Sequence, residues 1–364
     1  MTVIPEDSRF ETDPEQLLPE LPGLPGGWTV DVPDPGDPED VARLTVLLRA
    51  HEKEGRGWAG AAEEDVLVEV SERGLRTRSN VVVRDADRVP RAWGSVHDRA
   101  GGRMLLLHVV ERGLPDGVAR ACSDVLVEWA VGQAREVGAA RGLEVQQIDT
   151  GAFEGDERQA RWLREAGFEK VRTWWQMNRP VQPEESTLVP HPAGWERAEK
   201  GVRFRLVTRA GSGMPDEDDL RDVHDVLEEA FLDHFNSWEE TFEEFLYRLR
   251  EDPGHRWDHW WLAETVDGSE PRAVGALVGT VSESSNGPDG SYVSYIGVRE
   301  AARGRGVAKG LLHTIIADAA ARDRDRVGLE VDADSSTGAD GLYGSLGWRT
   351  KYVTESWHRD VPVD

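Results

Sequence analysis

The sequence contains one cysteine, Cys122, among its 364 residues. A single cysteine excludes an internal disulfide and a cysteine-rich zinc site, which is typical of a reducing compartment. No apolar run approaches the roughly 20 residues that a membrane-spanning helix needs. The start, MTVIPEDSRFETDPEQ, is acidic, whereas a secretory signal is basic and then apolar. We therefore expect a cytoplasmic protein in which Cys122 is a small buried residue on a helix.

Basic residues are also scarce, since 43 Lys and Arg stand against 69 Asp and Glu, for a net charge of −26. This charge repels nucleic acid and anionic lipid, so we predict neither a nucleic-acid nor a membrane partner. A cationic acceptor suits such a field, although acidity that only maintains solubility is the alternative. The length fits two domains of ordinary size.

A pattern of strand, acidic loop and helix begins near Gly27 and returns after Gly201. Further on, GLEV occurs at 142–145 and again at 328–331, and each copy precedes a short helix and a closing strand, RTWWQMNR or TESWHRD. Matches in the same order indicate a tandem duplication. The strand and helix pattern of each copy predicts an α/β fold whose mixed sheet carries helices on its faces.

The domain boundaries follow from composition. Residues 1–26 are rich in Pro, Glu and Asp, and we predict an extended arm there. The first domain is predicted at 27–180 and the second at 202–364. Between them, 181–201 is dense in Pro and polar residues and is predicted to be a linker.

The segment from Gly290 to Asp325 is the most informative for function. It reads as a strand, a loop of Gly and Arg, and an amphipathic helix. Gly304 and Gly306 allow close approach of a ligand to the backbone, and loop amides at a helix N-terminus favour phosphate. Arg303, Arg305 and Lys309 add positive charge in an otherwise acidic chain. A bound polyphosphate explains this combination.

The run Arg303-Gly304-Arg305-Gly306-Val307-Ala308 resembles the R/Q-x-x-G-x-G/A loop of the GNAT superfamily of N-acyltransferases. Downstream, Leu342-Tyr343-Gly344-Ser345-Leu346-Gly347-Trp348 resembles the family's L-Y-x-x-L-G-F segment. The loop, its preceding strand and the Tyr segment together identify the second half as a member of this family. The chain as a whole resembles the tandem type represented by mycothiol synthase, with a degenerate first domain.

The resemblance implies that acetyl-CoA is the acyl donor and that no metal is needed. The strand that ends at Ile296, Gly297 and Val298 would splay from VGLEVDA at 327–333 and hold the pantetheine arm, with the Val298 amide polarising the thioester carbonyl. Ser335 stands where the family has an Asn. The resemblance assigns the pyrophosphate to the loop residues Arg303, Gly304, Arg305, Gly306, Val307, Ala308 and Lys309.

The resemblance also places Tyr343 at the position of the family's general acid, so Tyr343 would protonate the departing CoA thiolate. The base is left open. Mycothiol synthase carries a carboxylate on the strand before the loop, where this sequence has Tyr292. Glu283, Glu330, Asp332 or a chain of water molecules are the alternatives.

The segment 222–246 resembles the helices that wall the acceptor site of such domains. Asp233, His234, Glu239 and Glu240 are candidates for binding a cationic acceptor, together with Tyr292 from the strand, although a solvated helix face is the alternative for each of them. His255 and His259 have no partners at metal-ligand spacing, so we predict that they pack in a strand and loop.

The first half lacks the loop. There Arg112 is followed by Pro115, which has no amide donor, and by Asp116, which places negative charge where a pyrophosphate would bind. Leu163 occupies the Tyr position. We therefore predict a domain that keeps the fold and supports its twin.

The sequence leaves three functions open. The first is acetyl transfer to the primary amine of a small, cationic acceptor; the others are acylation of a protein amine and catalytically silent sensing of acyl-CoA. A monomer or a homodimer is expected.

Overall fold

The computed structural model describes residues 23–34, 36–99, 102–211, 213–231, 241–266, 270–284, 287–334 and 339–363. Its contacts divide the chain into two compact units, one of Met1–Trp174 with Tyr352–Asp364 and one of Trp175–Lys351. One order of elements occurs twice along the chain: a strand, two helices, three strands, a helix, a strand, a helix and a strand. The predicted tandem fold is therefore confirmed.

The first unit has helices on both faces of a mixed sheet. Its strands β1 to β4 pair antiparallel in chain order, whereas β4 and β5 are parallel. The helices are α1 (Pro38–Arg56), α2 (Glu63–Val70), α3 (Asp116–Arg141) and α4 (Glu157–Glu165). The strands are β1 (Thr29–Asp31), β2 (Arg78–Arg84), β3 (Pro90–Asp98), β4 (Arg103–Val110), β5 (Val145–Phe153) and the first half of β6 (Glu169–Pro180).

The second unit repeats this design. Its helices are α5 (Glu217–Phe231), α6 (Phe242–Glu251), α7 (Val307–Ala321) and α8 (Ala339–Ser345). Its strands are β7 (Gly194–Arg197), β8 (Val202–Leu206), β9 (His255–Thr265), β10 (Arg272–Ser282), β11 (Gly290–Val298), β12 (Arg326–Asp332) and the start of β13 (Arg349–Pro362). With the second half of β6, the strand order is β6-β12-β11-β10-β9-β8-β7. The parallel pair is β11 and β12.

The closing strands do not follow the chain order of the repeats. Residues 352–362 of β13 belong to the first unit, where they pair with β5 from Thr354–Phe153 to Pro362–Val145. Residues 175–180 of β6 belong to the second unit, beside β12. The compact units therefore differ from the predicted ranges 27–180 and 202–364, because a strand pairs with any edge that offers free backbone groups.

The segment 181–201, predicted as a linker, contains a 3-10 helix at Pro183–Thr187 and strand β7, which pairs antiparallel with β8. The Trp195 ring stacks on Phe204 with a centroid distance of 4.4 Å, and its Nε1 donates to the Thr314 Oγ1 at 2.8 Å. An aromatic side chain within a polar, proline-rich segment thus attaches the segment to the second unit.

Local capping explains where several helices begin and end. The Asp37 carboxylate accepts a hydrogen bond from the Glu39 amide, Pro38 opens α1, and Gly57 ends it in the left-handed region. At α6, the Thr241 Oγ1 accepts from the Glu244 amide at 3.2 Å while the Glu244 carboxylate accepts from the Thr241 amide at 3.0 Å. This reciprocal pair satisfies two amides that the helix itself leaves unpaired.

Each unit has its own apolar core. In the first unit, α3 covers one sheet face and α1 and α2 cover the other. In the second, α7 covers one face and α5 and α6 cover the opposite face. Cys122 is fully buried on α3, as predicted, and burial raises the pKa of its thiol to about 12. Among the described residues, no helix is both long and apolar enough to cross a membrane.

Buried histidines make the stability of the fold depend on pH, and His108 is one of them. His108 of β4 is 4% exposed, its Nε2 lies 2.9 Å from the Ser123 Oγ, and burial lowers its pKa to about 4. Between about pH 6.5 and this value, the unfolded chain binds a proton at His108 and the folded chain does not. The free energy of unfolding should therefore decrease as the pH is lowered from 6.5 to about 4, and this group contributes up to about 3 kcal/mol of that decrease.

We expect His108→Gln to weaken the loss of stability between pH 6.5 and pH 4, since the variant no longer has this group to protonate. Urea unfolding at several pH values measures the effect. The same substitution at the exposed His191 is the control and should leave the wild-type slope. Equal slopes for wild type and His108→Gln would contradict the assignment.

Candidate active site

The predicted phosphate loop connects β11 to α7. A short 3-10 helix at Glu300–Ala302 follows the strand, and Gly304 and Gly306 then adopt φ angles of 76° and 78°. Side chains other than glycine rarely adopt this left-handed region, so these two residues determine the path of the loop. Gly306 is the N-cap of α7, and the first turn of the helix contains no acidic residue. The amides of this turn have no partner within the helix and form a site suited to an anion.

The loop cations differ in their surroundings. Arg303 and Lys309 are exposed. The Arg305 guanidinium instead donates to the Lys200 carbonyl at 2.6 Å and to the Gly201 carbonyl at 3.3 Å. Arg305 therefore fastens the loop to the start of β8. Val307 is buried in the core and Ala308 is half-buried. The exposed charged side chains of the loop are therefore those of Arg303 and Lys309.

The parallel strands β11 and β12 diverge beside this loop. They pair only at Ser291–Val327, Tyr292–Gly328 and Val293–Leu329. Directly after the last pair, a β-bulge at Ser294 shifts the register between β11 and β10. A bulge bends its strand and increases its twist, which gives a physical cause for the divergence.

Backbone groups of β11 face the gap between the diverging strands. The Arg299 amide donates to the Val274 carbonyl of β10 at 2.9 Å. In an antiparallel pair, successive residues alternate between positions that bond to the neighbouring strand and positions that do not. Gly297 is therefore also bonded to β10. Ile296 and Val298 direct their N–H and C=O groups to the other side, towards β12. These groups lie where β12 has already diverged, so the gap offers donors and acceptors to an extended ligand.

Gly297 has a different role from its two neighbours. A Cβ atom at this position would lie 2.9 Å from the Ala230 Cβ and 3.0 Å from the Leu227 Cδ2, both on α5. Gly297 thus allows α5 to pack closely on β11. The side chains of Ile296 and Val298 pack on the core beneath α7.

Tyr343 lies on α8 and is 8% exposed, with its ring against Trp348 at a centroid distance of 6.0 Å. Burial raises the pKa of its phenol to about 12, so the hydroxyl remains protonated at neutral pH. Within the part of the chain that the structure describes, this hydroxyl makes no hydrogen bond. It is a proton donor for which the described residues offer no acceptor.

A polar surface lies on the side of β11 and β12 opposite α7. The Tyr292 ring packs over Gly328, where a Cβ atom would lie 3.0 Å from the Tyr292 Cδ2 and 2.7 Å from the Asn178 Oδ1. The Gln176 amide donates to the Glu330 carboxylate. Sequence reasoning missed Gln176 and Asn178. Alternation in RTWWQMNR puts them on one face of a strand, but no local signal indicates that this strand joins the second unit.

The other predicted carboxylates lie elsewhere. Glu283 follows the last residue of β10 and forms an ion pair of 2.9 Å with Arg256. Because Ser282 pairs with Gly290, Glu283 lies near the start of β11 and not beside the gap. Asp332 accepts a hydrogen bond of 2.8 Å from the Asp334 amide. The predictions for Asp233, His234, Glu239, Glu240 and Ser335 fall outside the described residues.

The corresponding loop of the first unit is built differently. Gly113 and Gly117 are absent from the residues with positive φ. Arg112 forms an ion pair of 2.6 Å with Asp156, and the Arg158 guanidinium donates to the carbonyls of Glu111 and Arg112. The unit's own side chains therefore bond to the end of β4, where the second unit presents a glycine loop.

His255 and His259 pack inside the second unit. The His255 ring lies 4.4 Å from the Trp257 ring, and His259 is 1% exposed with its Nδ1 2.8 Å from the Asp258 carboxylate. Burial lowers the pKa of both imidazoles to about 4. No group of three or more His, Cys, Asp or Glu side chains in the described ranges is placed to hold a metal ion.

The diverging parallel pair and the glycine loop at the N-terminus of α7 both lie within residues 221–348. Residues 221–348 match the model of the acetyltransferase (GNAT) family. This part of the chain is a GNAT acetyltransferase domain.

Solved structures share the fold of the whole chain. A GCN5-related N-acetyltransferase from Sphaerobacter thermophilus is 23% identical with a TM-score of 0.69, and the match covers 93% of this chain and 97% of that one. A tandem GNAT protein from the clavulanic acid biosynthesis pathway is 13% identical with a TM-score of 0.64, over 93% and 100% of the two chains. Saccharomyces cerevisiae N-myristoyltransferase with bound myristoyl-CoA is 12% identical with a TM-score of 0.54, over 95% and 81%. No curated protein shows significant sequence similarity to the chain.

The two loops predict opposite effects of the same substitution. Gly304 has a φ of 76°, Gly117 does not have a positive φ, and a Cβ atom at either position meets nothing within 4 Å. Gly304→Ala should therefore destabilise the protein by roughly 1–2 kcal/mol through backbone strain alone. Gly117→Ala lies on helix α3 and should be neutral or stabilise by roughly 0.5–1 kcal/mol. Denaturant unfolding of both variants measures this, and a Gly304→Ala variant as stable as wild type would refute the loop geometry.

Proposed function

We propose that the second unit transfers the acetyl group of acetyl-CoA to a primary amine of a small, cationic acceptor by direct attack within a ternary complex. The observation that carries this proposal is the gap between β11 and β12, which opens beside the anion-binding first turn of α7 in a GNAT acetyltransferase domain. Of the three solved structures compared, one contains a bound acyl-CoA, which supports the same class of donor here.

The residues of the site fit such a donor. The amides from Gly304 to Lys309 would bind the pyrophosphate, with Arg303 and Lys309 adding charge. The backbone groups of Ile296 and Val298 would bond to the pantetheine arm, and the Val298 amide would donate to the thioester carbonyl as negative charge develops there. The acidic chain, with a net charge of −26, favours a cationic acceptor over an anionic one.

Tyr343 would donate its proton to the sulfur. In the transfer, the acceptor nitrogen forms a bond to the acetyl carbon, the carbon–sulfur bond breaks, and the sulfur takes up a proton while the nitrogen loses one. Because the phenol has a pKa of about 12, it is fully protonated and available as a donor. A free thiol has a pKa of roughly 8.5, so the thiolate departs fairly well without help and the contribution of Tyr343 is modest.

The proposal predicts one acetyl-CoA site per chain, which titration calorimetry measures. Gly306→Asp should weaken binding strongly, because it strains a residue with a φ of 78° and adds negative charge beside the pyrophosphate. Gly117→Asp in the first unit is the matched control and should leave the affinity unchanged. A stoichiometry near two, or normal affinity in Gly306→Asp, would refute the assignment.

Tyr343→Phe removes only the hydroxyl and leaves the ring packed on Trp348, so folding and acetyl-CoA affinity should change little. General acid catalysis contributes on the order of 10² to 10⁴ in rate, and we expect a loss of kcat near the lower end, with KM for acetyl-CoA maintained. Steady-state release of CoA thiol with an accepted amine measures it. Full kcat in the variant would show that Tyr343 is only a core residue, and loss of acetyl-CoA binding would show a positional role.

A further inference from the structure

Glu330 lies at the point where the two parallel strands separate. It is the first residue of β12 after the last pair, Val293–Leu329, and is therefore level with the bulge at Ser294. Its neighbours Leu329 and Val331 pack in the core beneath α7, so the Glu330 side chain projects from the opposite face of the sheet. Tyr292 lies on that same face, over Gly328.

The Glu330 carboxylate is held at one oxygen and free at the other. The Gln176 amide donates to its Oε2. Among the described residues, the Oε1 atom has no hydrogen-bond partner and the side chain is exposed. A carboxylate oxygen offers two lone-pair positions, so Oε1 is able to accept from a ligand.

Two buried carboxylates of this unit, Glu264 and Asp219, have cationic partners. Glu264 pairs with Arg203 and Arg205 at 2.6 and 2.7 Å, and Asp219 also pairs with Arg205. No ion pair within the described ranges involves Glu330. The side chain reaches solvent, but nearby protein atoms partly desolvate the carboxylate and thereby raise its pKa. The hydrogen bond from Gln176 lowers this pKa, and the negative charge of Asp332 raises it further. A carboxylate without a cationic partner attracts a cation.

We propose that Glu330 binds the ammonium group of the acceptor and takes up its proton, and that Gln176 positions the carboxylate for this step. One proton moves from the ammonium nitrogen to the Oε1 of Glu330, and the neutral nitrogen then attacks the acetyl carbon. As the carbon–sulfur bond breaks, the nitrogen loses a second proton, the sulfur takes up a proton, and Glu330 releases its proton to water. An alkylammonium has a pKa of roughly 10 and is almost wholly charged at pH 7, so attack requires such an acceptor for its proton. This inference rests on the proposed acetyl transfer and names the base that it needs.

The test uses the full chain with acetyl-CoA and methylamine, ethylenediamine or glucosamine as the acceptor, with release of CoA thiol followed from pH 6 to pH 9.5. Glu330→Gln should bind acetyl-CoA with wild-type affinity and lose on the order of 10² to 10⁴ in kcat/KM for the amine at pH 7. Because the variant depends on amine that is already neutral, the deficit should shrink by about tenfold per pH unit towards the pKa of the amine.

Gln176→Leu distinguishes a positioning role from a merely structural one. Loss of the donated hydrogen bond should move the rising limb of the wild-type pH profile to higher pH, because that bond lowers the pKa of Glu330. Gln176→Asn should recover part of the activity. Glu283→Gln, a carboxylate paired with Arg256 outside the gap, is the control and should remain within about twofold of wild type.

An unchanged pH profile in Glu330→Gln, or the same effect produced by Asp332→Asn in its place, would overturn the role of Glu330 and leave acetyl transfer intact. If the wild-type protein releases no thiol with any of the three amines, transfer to a small amine is overturned as well. Acetyl-CoA binding is measured on the same samples. Normal binding together with loss of transfer shows that the donor site is intact and that the defect lies in the step involving the amine.

Discussion

The divergence of β11 from β12 is the constraint on which the site depends. Two parallel strands normally satisfy each other's backbone groups, and an unpaired group that is buried costs free energy comparable to a lost hydrogen bond. Here the pairing stops at Val293–Leu329 and the groups of Ile296 and Val298 face an open gap. Helices pack on both faces of β11 beside this gap, with α5 against Gly297 and α7 against the opposite face.

The first unit has the same order of elements but no glycine loop with positive φ angles after its strand β4. Its strands β4 and β5 also form the parallel pair, but Arg158 donates to the carbonyls at the end of β4, and Arg112 is paired with Asp156. Side chains of the first unit thus bond to the backbone at the end of β4.

The strand arrangement has a chemical consequence for the second unit. Gln176 and Asn178 belong by sequence to the closing strand of the first repeat, yet they lie beside Glu330 and Gly328. A cut of the chain between the repeats would therefore remove β6 from the second unit, together with a donor to the Glu330 carboxylate.

The sequence by itself determined the repeated order of elements, the glycine loop at Gly304 and Gly306, the burial of Cys122 and the absence of a comparable loop near Arg112. These properties depend on local rules, namely the period of apolar residues, backbone freedom and the chemistry of a few neighbouring side chains. Only the tertiary structure decided that Arg305 fastens the loop to β8 and that Gln176 lies next to Glu330. Such contacts join residues far apart in the chain, and the edge that a strand joins depends on competition among all available edges, which no local pattern encodes.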